Sequence, residues 1–194
     1  MMDTVSSKLL LCLLILSLGT LVASSTKKPK WCPYRCSCSI EKRAVFCRDA
    51  SLKEIPPELP SFLETLNLYN NKISTIPDNA FSKLGNLTLL VLTKNVISSI
   101  DENGFNGLSK LAELSLADNK LNISELEEKV FSVVPTKLPS LTKLFIGSPN
   151  LAFREGSLSA LSNSSVRLLD LTYSYQICDL PDAVFANLVL DRIN

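Results

Sequence analysis

The sequence predicts an α/β repeat fold, a curved solenoid in which short parallel strands from successive coils line the concave face. Apolar residues recur at a step of about 24 residues, as in LETLNLYNN and LTLLVLTKN, and such self-similarity outranks local propensity. Within each unit the leucines alternate with other residues over a few positions, which is typical of a very short strand with one buried face. One coil cannot cover its own leucines, so the coils are expected to stack.

The repeat unit occurs about five times, with a polar residue in a fixed slot shortly after the strand. The strand leucines and the slot residue of the three regular copies are Leu66, Leu68 and Asn71; Leu90, Leu92 and Asn95; and Leu114, Leu116 and Asn119. A longer step, from Leu114 to Leu144, leads to the fourth copy, which has Pro149 in the slot. The fifth copy has Ser174 there and needs one inserted residue before its later positions, Ile177, Leu180, Pro181 and Phe185.

The longer step before the fourth copy predicts a short helix on the convex side, from about Glu125 to Val133. Ser124 followed by Glu127 is the pattern of a capping box. The apolar residues expected to share the buried face of this helix are Leu126, Val130, Val133 and Val134.

Composition excludes several functions. The formal net charge is +1, so nothing in the charge balance calls for nucleic acid. There is no histidine, which removes the commonest general base and metal ligand. No catalytic set is visible, and we expect neither an enzyme nor a cofactor.

The segment 1–24 predicts a secretory signal peptide. Lys8 precedes an apolar run from Leu9 to about Leu18, followed by small residues suited to cleavage near Ser24. The run is shorter than the roughly 20 residues that span a bilayer, and an uncleaved anchor is the alternative. Residues 25–31 are expected to form a linker in a soluble, extracellular mature chain.

Four cysteines follow the signal peptide, at Cys32, Cys36, Cys38 and Cys47. In an oxidising compartment they are expected to pair. A bond across one residue, from Cys36 to Cys38, would strain disulfide geometry, which leaves two of the three pairing patterns open. Zinc is the rival interpretation, but CxxxCxC matches the usual zinc spacings poorly.

This cysteine cluster, followed by SLKEIPPELPSFLETLNL and the repeats, resembles extracellular leucine-rich-repeat proteins: Toll-like receptors, Slit-type proteins and small leucine-rich proteoglycans. The resemblance implies an N-terminal cap over residues 32–60, repeats over 61–187 and an incomplete repeat over 188–194. It implies disulfides from Cys32 to Cys38 and from Cys36 to Cys47. It also implies that the slot asparagines bond the backbone of neighbouring coils. Because Pro149 has neither an amide side chain nor an N–H and Ser174 reaches less far, we expect this ladder to weaken from the fourth coil onward.

Strand alternation sends the leucines inward and their neighbours out onto the concave sheet. Several outward positions are apolar where a solvent face would be polar, which indicates a binding patch with an apolar centre and a charged rim. Scattered exposed apolar residues are, however, also normal. The candidate ligand-binding residues are Thr65, Asn67, Tyr69, Leu89, Val91, Thr93, Glu113, Ser115, Lys143, Phe145, Leu168 and Asp170, with Ala117, Gly147 and Thr172 also pointing outward.

Three sequons, at Asn86, Asn122 and Asn163, predict N-glycans. Cys178 is the odd cysteine, for which we expect a partner elsewhere. The leucines of the last segment, FANLVLDRIN, look out of step with the repeat, and no C-terminal cap is visible. We therefore expect the chain to be a truncated form of a longer ectodomain.

The resemblance to Toll-like receptors implies a ligand-binding module of a cell-surface pattern-recognition receptor, with a protein or microbial ligand on the concave face. Dimerisation through the missing C-terminal part would fit the same expectation. The alternative is a secreted matrix, adhesion or guidance protein of the proteoglycan or Slit type. Secretion and the cell surface both remain open as locations.

Overall fold

The computed structural model describes residues 28–149, 151–172, 174 and 189–193. The predicted signal peptide, Cys178 and the segment from Ile177 to Phe185 lie outside the described residues.

The chain forms one long main sheet and a second, two-stranded sheet on the far side of the leucine core. Neighbours in the main sheet follow the order β1-β2-β3-β5-β7-β8-β9-β10, antiparallel between β1 and β2 and parallel from β2 onward, whereas β4 and β6 pair with each other. The strands are β1 (Ser37–Ser39), β2 (Ala44–Phe46), β3 (Thr65–Asn67), β4 (Thr75–Ile76), β5 (Leu89–Val91), β6 (Ser99–Ile100), β7 (Glu113–Ser115), β8 (Lys143–Phe145), β9 (Leu168–Asp170) and β10 (Arg192–Ile193).

The predicted stacking of leucines is confirmed. One leucine from each repeat occupies the centre of its strand, and each lies directly beside its equivalent in the next coil. All five are 0% exposed: Leu66, Leu90, Leu114, Leu144 and Leu169. Since no coil buries this row alone, the core is a single continuous layer running the length of the array.

The strands are short because the chain turns sharply two residues after the last buried leucine. A residue with positive φ stands there in the cap and in the regular coils, at Asp49, Asn70, Lys94 and Asp118. Positive φ is uncommon outside glycine, although asparagine and aspartate tolerate it. The turn directs the chain from the sheet towards the far side.

The cap is held by the disulfides Cys32–Cys38 and Cys36–Cys47, with Cα–Cα distances of 5.9 and 4.2 Å. The pairing implied by the family resemblance is therefore confirmed. The cap also extends the main sheet, because Val45 of β2 lies beside Leu66 in parallel register. Cys47 is 0% exposed and continues the row of Leu68.

The insertion before the fourth repeat strand is helical over a longer range than predicted. It contains α1 (Ile123–Leu126), a π-helix (Glu127–Phe131) and α2 (Val134–Lys137). The predicted capping box of Ser124 and Glu127 is wrong: Asn122 Oδ1 accepts the cap hydrogen bond from Glu125 N at 2.8 Å. The side chain of Glu127 instead meets Arg154 at 3.1 Å.

The end of the chain returns to the repeat register. The step from Leu168 of β9 to Arg192 of β10 equals the step from Leu66 to Leu90, and Ile193 pairs with Leu169. Leu190 packs against the core. The expectation that these apolar residues are out of step is therefore wrong, because the step from β9 to β10 is the regular 24 residues.

Candidate functional site

The outward residues of the main sheet form three columns that run across the coils. Strand register aligns the first column, Thr65, Leu89, Glu113, Lys143 and Leu168, and the second column, Asn67, Val91, Ser115, Phe145 and Asp170. The third column lies just beyond the strand ends and comprises Tyr69, Thr93, Ala117, Gly147 and Thr172.

Apolar side chains occupy much of the first two columns. Leu89, Val91, Phe145 and Leu168 are all half-buried although they point away from the leucine core. The cap adds Phe46, which pairs with Asn67 and is 37% exposed. Sequence reasoning missed Phe46, yet alignment of Val45 and Cys47 with Leu66 and Leu68 could have found it.

The side chains of two predicted binding residues, Asn67 and Ser115, are buried and form hydrogen bonds within the sheet. Asn67 is 6% exposed, and its Oδ1 accepts a hydrogen bond from Tyr69 N at 3.0 Å. Ser115 is 9% exposed, and its hydroxyl bonds that of Thr93 in the neighbouring coil. Both side chains therefore have internal partners, and sequence alternation could not reveal this.

Charged groups lie among and beside the apolar residues, since Glu113 and Lys143 separate Leu89 from Leu168 in the first column. Lys143 Nζ lies 3.3 Å from Glu113 Oε2 in the first column, with both side chains partly exposed. At the cap end, two cationic side chains lie over the ring of Tyr69. Arg48 Cζ is 5.7 Å and Lys94 Nζ is 5.5 Å from the ring centroid. An acidic residue, Asp170, lies on β9. That these charges form the rim of a binding patch stays a prediction.

A depression with a volume of about 240 Å³ opens between the second and third columns. Its lining comprises Thr93, Ser115, Ala117, Phe145, Asp170 and Thr172. It brings together four of the predicted site residues from neighbouring coils, and adds Ala117 and Thr172.

An asparagine ladder inside the turns fixes the positions of these columns. Asn95 Nδ2 donates to Leu68 O at 3.0 Å and to Leu92 O at 2.9 Å, while its Oδ1 accepts from Ile73 N at 3.1 Å. Asn71 and Asn119 make the equivalent bonds with their own and the preceding coils. The ladder satisfies backbone groups that stacking buries, as the resemblance implied.

The ladder changes at the fourth coil, as expected. Pro149 offers no amide, and proline disfavours helical conformations for the residue before it. Accordingly Ser148, which takes the place of Asn70 and Lys94 in the repeat, does not adopt positive φ. Ser148 Oγ donates to Asn119 O at 3.0 Å, and Ser148 N donates to Ser174 Oγ at 3.1 Å.

The three sequon asparagines are all exposed. Asn86 and Asn163 precede β5 and β9, so they lie at the amino-terminal edge of the strands, while the depression lies towards the carboxyl-terminal edge. Asn122 caps α1 on the insertion. Glycans at these positions would leave the depression open.

Within residues 28–149, 151–172, 174 and 189–193, no cluster of side chains suits a metal ion and no helix is long and apolar enough to cross a membrane. One described group has a shifted pKa: a hydrogen bond to Glu128 raises the pKa of Lys129 above its ordinary value. That residue belongs to the π-helix, away from the sheet, so it has no part in the site.

Comparison with known proteins agrees with this geometry. Residues 32–60 match the leucine rich repeat N-terminal domain, and residues 61–121 match the leucine rich repeat. The described residues have the leucine-rich-repeat fold with an N-terminal disulfide cap. Its two disulfides fit an oxidising, extracellular compartment.

Relatives of this leucine-rich-repeat protein include bovine and human decorin, from Bos taurus and Homo sapiens, each 44% identical over 61 residues. The match covers 31% of this chain and 16% of each decorin.

Two solved structures share the fold at 24% identity. The TLR13–ssRNA13 complex has a TM-score of 0.62 over 82% of this chain and 22% of the other. Human 5T4, also named Wnt-activated inhibitory factor 1 or trophoblast glycoprotein, has a TM-score of 0.59 over 86% of this chain and 71% of its own.

Proposed function

We propose that this leucine-rich-repeat protein is a non-catalytic extracellular module that binds a protein ligand on its concave sheet. The observation that carries the proposal is the set of half-buried apolar side chains on the outward columns, Leu89, Val91, Phe145 and Leu168, with the charged pair Glu113 and Lys143 among them. An apolar centre with a polar rim is the usual composition of a recognition surface, whereas the outward face of a sheet in water is ordinarily polar.

The decorin relatives and the Toll-like fold neighbour favour two different biological settings. Local identity of 44% to decorin supports a secreted matrix or adhesion protein. Similarity to TLR13 at 24% identity supports a pattern-recognition receptor at fold level alone. The apolar concave stripe serves either setting, since both need a rigid surface for a protein partner.

An array of purified extracellular proteins, containing receptor ectodomains and matrix proteins as separate groups, tests the proposal. We expect Val91→Glu and Phe145→Glu each to weaken binding to the wild-type partner by more than about tenfold, since a charge in an apolar interface centre is costly. Ser98→Glu is the matched control, because Ser98 is exposed beside β6 on the far side.

The identity of the bound protein distinguishes the two settings, because receptor ectodomains and matrix proteins form separate groups on the array. Binding that survives both concave substitutions but is lost in Ser98→Glu, or binding to no protein in either group, would contradict the proposal. Circular dichroism of each variant checks that the fold is intact.

A further inference from the structure

Two Asn-Gly pairs, Asn103-Gly104 and Asn106-Gly107, lie close together in the turns between β6 and β7, and the sequence contains no other such pair. An asparagine before a glycine is prone to deamidation, because glycine has no side chain to hinder attack of its backbone nitrogen on the asparagine amide. The local sequence is nearly the same for both pairs. A difference in their reactivity must therefore come from the fold.

The first pair is protected. Gly104 is buried, and Gly104 N donates a hydrogen bond to Asp101 O at 2.9 Å. The side chain of Asn103 is held as well, because its Oδ1 accepts from Lys137 Nζ of α2 at 3.1 Å. Attack of Gly104 N on Asn103 would have to break the bond to Asp101 first.

The second pair lacks this protection. Gly107 is exposed, and no described residue accepts a hydrogen bond from Gly107 N. The side chain of Asn106 is half-buried, and its Nδ2 donates to Asn79 Oδ1 at 3.1 Å, a bond at the exposed surface. The attacking nitrogen thus has no bond to break, and the amide that it would attack is restrained by a weak one.

We propose that Asn106 is a site of covalent modification by spontaneous deamidation. Deprotonated Gly107 N attacks Asn106 Cγ and forms a C–N bond, while the bond from Cγ to Nδ2 breaks and ammonia leaves. Water then opens the resulting succinimide at either of its carbonyls, which yields aspartate or isoaspartate. Water is the only co-reactant, and no atom is oxidised or reduced.

The modification acts on the contact between two neighbouring coils. A Cβ built on Gly107 would lie 2.6 Å from Ser82 O, so the backbone here already approaches the preceding coil closely. Isoaspartate adds a carbon to the backbone directly before Gly107. It also replaces the donor to Asn79 Oδ1 by a carboxylate, which can only accept. We therefore expect faster hydrogen exchange at Ser82 N, which bonds Asn79 O at 3.1 Å.

Mass spectrometry of the aged protein tests the site. Trypsin cleaves after Lys94 and Lys110 and releases residues 95–110 as one peptide, so fragment ions report both pairs together. After incubation of the folded chain in mildly alkaline buffer, Asn106 should be modified at least about fivefold faster than Asn103, a ratio that corresponds to the net contribution of one hydrogen bond.

The isolated peptide 95–110 is the matched control for the folded chain. It has neither the bond from Gly104 N nor the contact with Lys137, so its two asparagines should react at rates within about twofold of each other. Equal rates in the folded chain, faster modification of Asn103, or an unreactive Asn106 in the folded chain beside a reactive peptide would each overturn the proposal.

Asn106→Gln tests the consequence for the coils. Glutamine keeps an amide but must close a larger ring, which forms more slowly because the reacting groups are less well positioned. Aged Asn106→Gln should retain the protection of Ser82 N from hydrogen exchange, whereas aged wild type should lose it in proportion to its isoaspartate content. Full protection of Ser82 N in the modified wild-type fraction would overturn the proposed loosening.

Discussion

At the scale of single residues, the asparagines in the turns hold neighbouring coils together. Each of Asn71, Asn95 and Asn119 is less than 8% exposed and bonds two coils. None of the buried side-chain polar atoms in the described part of the chain lacks a partner. Loss of one such amide leaves buried backbone groups unsatisfied, which is costlier than the loss of an exposed bond.

We expect Asn95→Ala to lower the free energy of unfolding by about 1 to 3 kcal/mol, since it leaves the buried Ile73 N without its acceptor. It also removes one of the two amide donors that each of Leu68 O and Leu92 O has. Urea unfolding followed by circular dichroism measures the change. Asn106→Ala is the control, because Asn106 bonds Asn79 at the exposed surface. Equal losses in the two variants would show that the ladder contributes no special stability.

A second prediction at this scale concerns the contact between Gly147 and the next coil. Gly147→Ala would place a methyl group 1.7 Å from Thr172 O, and relief of this overlap must separate the two backbones. We expect a loss of more than about 2 kcal/mol in the free energy of unfolding, as for overpacked cores.

Gly85→Ala is the matched control for the Gly147 substitution. The nearest atom to its built Cβ is Gly107 O at 3.7 Å, an ordinary contact. Calorimetric melting of both variants compares them, and a Gly147→Ala protein as stable as Gly85→Ala would refute the close approach.

At the scale of elements, the helical insertion ends the second sheet. The first two regular coils provide β4 and β6, which pair in parallel. The third coil has α1 in place of a strand, and Glu125 Oε1 accepts the hydrogen bond of Ile100 N at 2.9 Å. A side chain thus supplies the acceptor that a further strand would have provided.

Glu125→Ala should expose Ile100 N to faster hydrogen exchange and lower the free energy of unfolding by about 1 to 2 kcal/mol, because it removes this acceptor. Glu125→Gln keeps an acceptor oxygen and should lose much less. The comparison variant is Glu128→Ala, since Glu128 is exposed and its carboxylate pairs with the adjacent Lys129. Unchanged exchange at Ile100 in Glu125→Ala would contradict the role assigned to Glu125.

At the scale of the whole molecule, the cap and the repeats share one core. Cys47 is fully buried beside Leu68, whereas Cys38 is half-buried in the middle of the edge strand β1. The two disulfides therefore differ in what they hold. Cys36–Cys47 ties the cap to the leucine layer, and Cys32–Cys38 closes a shorter loop within the cap.

Replacement of Cys36 and Cys47 by serine should lower the free energy of unfolding by about 2 to 4 kcal/mol from the lost cross-link. The loss should be larger still because the hydroxyl introduced in place of the Cys47 thiol would be buried. The Cys32→Ser, Cys38→Ser double variant should lose less. Differential scanning calorimetry ranks the two, and a lower melting temperature for the Cys32 and Cys38 variant would reverse our assignment.

The 24-residue period of the leucines predicts the repeat strands, because only one register of neighbouring coils lets each coil cover the leucines of the next. Leu66, Leu90 and Leu114 were placed correctly for this reason. The cap strands were not predicted, because Val45 and Cys47 replace the leucines and the step to Leu66 is shorter. The helix start was misplaced because Asn122 and Ser124 are both good N-cap residues, and the contact of Glu125 with Ile100 is set by tertiary structure.

For the candidate site, the sequence predicts which side chains point away from the core, but it does not predict the shape of the surface that they form. The alternation of residues along each strand correctly identifies the side chains that point away from the core, including those of Phe145 and Asp170. It could not show that Asn67 and Ser115 bond within the sheet, or that a hollow forms beside Ala117. Those features depend on the distance between coils, which local sequence does not encode.

Pro149 has a mechanical consequence. Up to the third coil, neighbouring turns are linked by a repeated asparagine bond, whereas beyond it the described side-chain link between turns passes through Ser148 and Ser174. We therefore expect tension applied at the carboxyl end to separate neighbouring coils more readily beyond the third coil than before it. The boundary where the asparagine bonds end therefore lies behind the part of the sheet that contains Phe145 and Asp170.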